Sequence, residues 1–321
     1  MKKRQGVIGR VKRKISGMIS GILRSAVRKE IEKFLPIILQ LVEFQNSAKE
    51  DRQSFYDHTK DPFGSIDFYE SLKERLVSVD VLVEPVDIDI PDFERWLNDF
   101  PEITKHYEKK GDVFIEKCLE HYLAYRYLNM SANDVYIDVA GAGSPWAESL
   151  NARGVKAYRL DLSFPMGFNG MDIGADASDT RLPDDFASAL SLQCAYECFM
   201  GDADIFFVKE ASRILDKNGR YVIAPLYLAD VHFVSTSPYC NQAEVTIEPE
   251  ARKVWRDDDY KVPFSRHYSP ESFAERIYSG IQEDMKGRVL YFKNLDEVMK
   301  HYPGQRIYSF FIFLCEKTEG S

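Results

Sequence analysis

The chain has 321 residues, enough for one large domain with additions or two small ones, and 45% hydrophobic residues supply a sizeable core. Its net charge of −9 hides an asymmetry: residues 1–33 carry eleven Lys/Arg against two Glu, +9, so the remainder carries −18. An acidic body excludes a broad nucleic-acid footprint, which needs a cationic surface. The five cysteines are scattered, with no C-x-x-C pair, and Cys194 and Cys198 lack the further ligands of a metal site, so no metal is expected.

In chain order, residues 6–35 read as a helix, with Ile8, Val11, Ile15, Met18 and Ile22 recurring every three or four positions. Residues 1–42 therefore form a basic amphipathic arm. Lys12, Arg13, Lys14 and Arg24 lie mostly off the apolar stripe, an arrangement that fits a helix lying on an anionic membrane surface through residues 1–34. The same spacing fits a coiled-coil seam, which would make the chain a homo-oligomer. No apolar run approaches the ~20 residues of a membrane span, and basic residues break up any signal-peptide core. The reading is a cytoplasmic protein, peripheral at the inner face of the membrane if the arm binds lipid.

Residues 43–110 form a linker and a mostly helical cap, polar and aperiodic as far as Phe63 and then helical. "IDIPDFERWL" is a Pro-started helix, and "DVFIEKCLEHYLAYRYL" is an amphipathic helix with Ile115, Cys118, Leu119 and Tyr122 on one face. From residue 111 to 321 the pattern becomes regular. "VYIDVA" is a strand, and "SPWAESLNARG" a short helix capped by Ser144. "VKAYRLD", "MDIGADA" and "FASALSL" are further strands. "DADIFFVKEASRILDKNG" is a helix closed by Asn218-Gly219, "RYVIAPLYL" a fifth strand, and "RIYSFFIFLCEK" a last apolar strand. Strands alternating with helices at this spacing predict an α/β, doubly wound, parallel sheet.

In such a sheet the ligand lies at the carboxyl ends of the strands, over the turn that follows "VYIDV". A dinucleotide fingerprint needs three glycines. Gly141 and Gly143 fill the first two positions, but Trp146 holds the third and would crowd a pyrophosphate. Asp161, 20 residues after Gly141, still suits a ribose diol. The pattern points to a nucleoside ligand without phosphates.

The run "GADASDTRLPDDFASALSLQCAYECF", followed by the E-x-x-R-x-L-x-x-x-G helix of "KEASRILDKNG", resembles the class I S-adenosylmethionine-dependent methyltransferases over roughly residues 115–228. That resemblance implies a Rossmann-like sheet of seven strands whose last is antiparallel, here with a helical N-terminal extension. It also implies S-adenosylmethionine as the methyl donor. Asp138, Ala140, Gly141 and Gly143 would form the turn under the donor's methionine part. Asp161 would hold the ribose, Asp176 and Ala177 the adenine, and Gln193 would face the sulfur. The chain departs from the family's D-x-G-x-G-x-G: either a glycine is replaced by Ala140, or the turn carries one extra residue.

Methyl transfer to a hydroxyl is helped by a general base. His232 and His267 stand in regions where the family places substrate residues, and Tyr196, just beyond the fourth strand, is a further candidate. The acceptor class implied is a small molecule, a glycan or a lipid-linked intermediate, with the insert 229–265 and the 43–130 region covering the site. An NAD-binding oxidoreductase, disfavoured by Trp146, and a non-catalytic scaffold are the competing readings.

Overall fold

The computed structural model describes residues 14, 25–48, 51, 66–239, 245–256 and 263–318. The chain divides into two compact units, Met1–Asp57 with Phe233–Arg266, and His58–His232 with His267–Ser321. Most of the basic arm lies outside the described residues. Its described end is a helix, α1 (Ser25–Gln45), which runs ten residues past the expected stop.

In the first unit the insert forms a small sheet of β7 (Phe233–Thr236), β8 (Arg252–Trp255) and β9 (Ser265–His267), in the order β8-β7-β9. Phe44 of α1 meets Trp255 edge-on at 6.0 Å, and Lys253 lies over the same indole at 4.1 Å. Arg266 is buried here, paired with Glu248 at 2.6 Å.

The second unit begins with α2 (Ile66–Ser78), β1 (Val83–Val86), α3 (Ile90–Asp99), α4 (Pro101–Tyr107) and α5 (Phe114–Leu128). Asp89 caps α3, its Oδ1 accepting from the Asp92 N–H at 2.9 Å, and a proline occupies the first turn. Next come β2 (Val135–Val139), α6 (Trp146–Ala152), β3 (Lys156–Asn169), β4 (Asp172–Gly174), β5 (Ala187–Gln193), α7 (Ala203–Ile214) and β6 (Leu215–Ala224). The unit closes with α8 (Pro270–Arg276), β10 (Met285–Phe292), α9 (Leu295–His301) and β11 (Phe311–Lys317).

The large sheet runs β1-β10-β11-β6-β5-β2-β3-β4, with β11 antiparallel to both its neighbours and the other pairings parallel. β4 also receives the returning end of β3. β2 lies between β3 and β5, so the chain winds outward in both directions from it. Right-handed crossovers then place α6 and α7 on opposite faces. This is the doubly wound α/β fold expected, with eight strands instead of seven. The extra strand is β1, within a region read as helical. Its sequence, Val83-Glu84-Pro85-Val86, contains a proline that cannot donate to a ladder. Such a strand is tolerated at a sheet edge, and among the described residues β1 pairs only with β10.

Other boundaries also shift. α7 ends at Ile214, and Leu215-Asp216-Lys217-Asn218-Gly219 opens β6 rather than closing the helix, with Asn218 at φ +63°. α6 starts at Trp146, one residue later than expected; the Ser144 hydroxyl still accepts from the Trp146 N–H at 3.1 Å. Cys194 and Cys198 lie across a 3-10 turn at Tyr196–Cys198, so they do not share a helix face. Among the described residues, no three His, Cys, Asp or Glu are grouped to hold a metal ion. No described helix is long and apolar enough to cross a membrane.

Candidate functional site

β2 is the central strand, buried from Tyr136 to Val139, and it delivers Asp138 and the turn after it to the point where the strand order reverses. Ala140 leaves the strand at φ +58°, in the left-handed region that normally calls for glycine. The positive φ fits a glycine replaced by alanine, one of the two forms the departure could take. The Gly141 N–H donates to the Leu160 carbonyl at 3.3 Å, and the Ala142 N–H to Asp161 Oδ2 at 3.3 Å, tying the turn to β3. A Cβ on Gly141 would fall 2.7 Å from the Asp138 carboxyl carbon, whereas one on Gly143 would meet nothing within 4 Å. Gly141 is therefore demanded by the protein, and Gly143 opens onto space.

Asp138 is buried, and its Oδ2 has no hydrogen-bond partner among the described residues. Burial pushes its pKa up to about 7, the nearby Asp161 adding to the effect and Ser144 and Arg159 opposing it. A buried carboxylate oxygen without a donor is costly in its ionised form.

β3 does not end at Asp161, as expected, but continues through residues 162–169. It swings out and returns to pair Phe168 with Ile173 and Asn169 with Asp172 on β4. Gly174 is essential to that excursion, since any side chain there would collide with the Pro165 carbonyl. Asp161 stays at the pivot, its Oδ1 accepting from the Ser163 N–H at 2.8 Å and hydroxyl at 2.7 Å. Asp176, just past β4, is held in the same manner by the N–H and hydroxyl of Ser178, at 2.8 and 2.7 Å.

Together these elements enclose a cavity of about 260 Å³. Ala140, Ala175, Ala177 and Ala203 leave it room, Leu160, Leu162, Phe199 and Met200 give it apolar walls, and Asp161 and Asp176 contribute carboxylates. Leu162 and Met200 are 75% and 45% exposed, so the mouth is apolar as well. The cavity thus brings together Ala140, Asp161, Asp176 and Ala177. Asp138, Gly141, Gly143 and Gln193 lie outside its lining, and the Gln193 amide donates to Ser191 Oγ at 2.6 Å.

The E-x-x-R pair of α7 supports this wall. Glu210 accepts from the Thr180 N–H at 2.9 Å and from Arg213 at 2.6 Å, while Arg213 donates to the Leu182 carbonyl at 2.7 Å. These bonds fasten the loop that follows Asp176 and Ala177. Trp146 is fully buried and packs against Trp96 and Phe100, away from any phosphate role.

The three residues offered as catalytic gather around Tyr268 and not in the cavity lining: the rings of Tyr196 and His232 lie 6.4 and 5.7 Å from its ring, and His267 precedes it in the chain. The Tyr196 hydroxyl donates to the Asp204 carbonyl at 3.0 Å, and the His232 Nδ1 lies 2.9 Å from the Ser272 hydroxyl. The buried His267 packs its ring on Tyr227, centroids 5.1 Å apart.

A second group of polar residues gathers at the carboxyl ends of β5 and β6. Lys117 Nζ donates to Glu120 Oε1 and to Cys194 Sγ, both at 2.7 Å, and the Cys194 thiol reaches Glu120 at 3.3 Å and the Tyr227 hydroxyl at 3.2 Å. Cys194 follows the last residue of β5 and sits at φ +51°, a strained conformation for a side-chain-bearing residue. Burial raises the Glu120 carboxyl above its usual range, with Lys117 opposing it. Burial also works against the Lys117 charge, but Cys194 and Glu120 outweigh it and hold the ammonium protonated. One turn earlier on α5, Glu116 accepts from the Tyr308 N–H at 2.9 Å, and burial lifts its pKa to about 7.

Sequence reasoning missed this group because α5 reads as amphipathic. The signal was present: Phe114, Ile115, Cys118, Leu119, Tyr122, Leu123 and Ala124 leave little polar face, so the helix is buried all round and its charges must pair inside.

No protein-family model matches the chain, and no curated protein matches it. Solved structures share its layout distantly. The 1,6-didemethyltoxoflavin-N1-methyltransferase of Burkholderia thailandensis, solved with 1,6-didemethyltoxoflavin and S-adenosylhomocysteine, is 12% identical, with 74% of this chain and 94% of that one covered at a TM-score of 0.41. A SAM-dependent methyltransferase from Methanosarcina mazei is 11% identical over 62% of this chain and 98% of its own, TM-score 0.38. Another, from Archaeoglobus fulgidus, is 12% identical over 62% and 93%, TM-score 0.36. At such scores the likeness carries no weight of its own. The chain's own strand order does: seven strands in the order β10-β11-β6-β5-β2-β3-β4, with only the last in sequence, β11, reversed between its neighbours. This is the Rossmann-like layout with its last strand antiparallel that the sequence's resemblance implies.

Proposed function

We propose that the chain binds S-adenosylmethionine across the β2–β5 switch point and transfers its methyl group to a small-molecule nucleophile. The observation that carries this reading is the cavity. Two loop-held carboxylates, Asp161 and Asp176, face a slot whose small floor and apolar walls suit a flat base. Asp161 supports a role on the ribose hydroxyls, and Asp176 with Ala177 on the adenine. The orphaned Asp138 Oδ2 and the open space over Gly143 suit the donor's amino-acid end, whose α-ammonium would donate to that oxygen. The donor, when bound, supplies an already activated methyl group. The protein's task is to hold an acceptor in line with it, about 3 Å away. Neither a glycan nor a membrane partner has a specific observation in its favour among the described residues.

The competing readings make different demands. A dinucleotide needs pyrophosphate room where the helix start carries the buried Trp146, and a scaffold without donor binding would have no use for an unsatisfied buried Asp138. Equilibrium binding of S-adenosylhomocysteine tests the proposal: micromolar affinity, weakened roughly 10–150-fold by Asp161→Ala, is expected, and no binding refutes it.

A further inference from the structure

Among the residues lining the cavity, two carry carboxylates, and both open the same short sequence. Asp161-Leu162-Ser163 and Asp176-Ala177-Ser178 are the two places in the chain where a serine stands two residues after an aspartate. The geometry repeats as well. In each, Oδ1 of the aspartate accepts from the serine N–H at 2.8 Å and from the serine hydroxyl at 2.7 Å. The residue between them, Leu162 or Ala177, lines the cavity, while the serine stands outside the lining. Nothing in folding alone confines this device to the two carboxylates of the cavity. A carboxylate offers about four lone-pair positions, two on each oxygen. Two donors use up Oδ1, so what remains for a ligand lies on Oδ2. Asp176 Oδ2 accepts from nothing among the described residues, and both its positions are left. Asp161 Oδ2 already accepts from the Ala142 N–H at 3.3 Å, and one position is left.

We propose that Ser163 and Ser178 are positioning residues that reduce each carboxylate to one reading oxygen. The site then holds its nucleoside by one ribose hydroxyl and by the amino group of the base, and the second ribose hydroxyl stays with solvent. This rests on the donor reading above. The serines also fix the torsions of the two aspartates before a ligand arrives, which removes part of the ordering cost of binding. At Asp161 a diol is not clasped by both oxygens, because the oxygen that would take its second hydroxyl is spent on Ser163. At Asp176 the reading oxygen accepts from the amino group, and a base with a carbonyl in its place would set two acceptors against each other.

The test is calorimetry on the full chain with S-adenosylhomocysteine, its 2′-deoxy and 3′-deoxy analogues, and S-inosylhomocysteine, whose base carries a carbonyl in place of the amino group. In the wild type one deoxy analogue should bind within about twofold of the parent. The other should bind about 10–150-fold more weakly, the range for a hydrogen bond to a charged group. Ser163→Ala returns one position on Oδ1, so the tolerated analogue should now bind at least about threefold more weakly than the parent. Ser163→Thr, which keeps the hydroxyl, should restore the tolerance. Ser178→Ala should leave that ratio alone and narrow the preference for S-adenosylhomocysteine over S-inosylhomocysteine by at least about threefold. A merely structural serine would change the affinity for all four ligands together. Deoxy analogues weakened alike or both tolerated in the wild type, or a ratio unchanged in either alanine variant, overturns the proposal; the wild-type comparison decides it if an alanine variant does not fold. Failure of the wild type to bind S-adenosylhomocysteine overturns the donor reading, and the proposal with it.

Discussion

Asp138 offers a test in which pH alone is the perturbation. Its carboxyl is buried, has one oxygen without a partner, and is pushed by burial to a pKa of about 7. If the donor's α-ammonium binds that oxygen, binding needs the ionised form. With a pKa near 7, roughly one tenth of the protein is ionised at pH 6 and about nine tenths at pH 8. The affinity for S-adenosylhomocysteine should then rise about tenfold between those values, with proton release on binding at the lower pH. Asp138→Asn should flatten the profile and weaken binding at pH 8 by about 1.5–3 kcal/mol, the range for a hydrogen bond to a charged group. The donor-free protein should show the opposite trend in stability. The folded carboxyl keeps a proton between about pH 4 and 7 that the unfolded one has released, so stability is lost as pH rises through that window. Glu116, also lifted to about 7, adds to this. Calorimetry and urea unfolding at pH 5, 6, 7 and 8 read both effects. A wild-type affinity flat from pH 6 to 8, or an asparagine variant that follows the same curve, would refute the reasoning.

The remaining expectations concern the turn, the ribose site and the arm. Asp161→Ala should cost about 1.5–3 kcal/mol of S-adenosylhomocysteine affinity by calorimetry, and equal affinity in a folded variant contradicts the ribose role. Gly143→Val should fold normally and lose donor binding, because its side chain meets only open space, whereas Gly141→Val should lose thermal stability as well by striking Asp138; retained binding in the first would place the donor elsewhere. Ala140→Gly should raise stability by about 0.5–1 kcal/mol in urea unfolding, by relieving the left-handed backbone at φ +58°, and a loss would show that the alanine methyl is needed for packing. The basic arm should make full-length protein co-sediment with anionic vesicles but not neutral ones, and deletion of residues 1–34 should abolish this; equal binding to both vesicle types removes the membrane reading.

The parallel core was legible because buried strands such as "VYIDV" and "ASALSLQ" are apolar runs bounded by turn residues, and their alternation with helices admits few topologies. β1 was not, because Pro85 argues against a strand unless its edge position is already known. The cavity gathers Asp161, Asp176, Ala177 and Ala140, four of the residues that the resemblance offers for the donor. Lys117, Glu120 and Cys194 were not legible. Cys194 is 74 residues from Glu120, and only the folded sheet brings β5 beside α5. The swing of residues 162–169 was equally hidden, since it depends on the close approach of Gly174 to the Pro165 backbone.

A calorimetric titration of the wild-type chain with S-adenosylhomocysteine and, separately, with NAD tests the central claim most directly. The account predicts micromolar binding of S-adenosylhomocysteine and none of NAD. Binding of NAD alone would make the chain an oxidoreductase, and binding of neither would leave a scaffold; either result contradicts it.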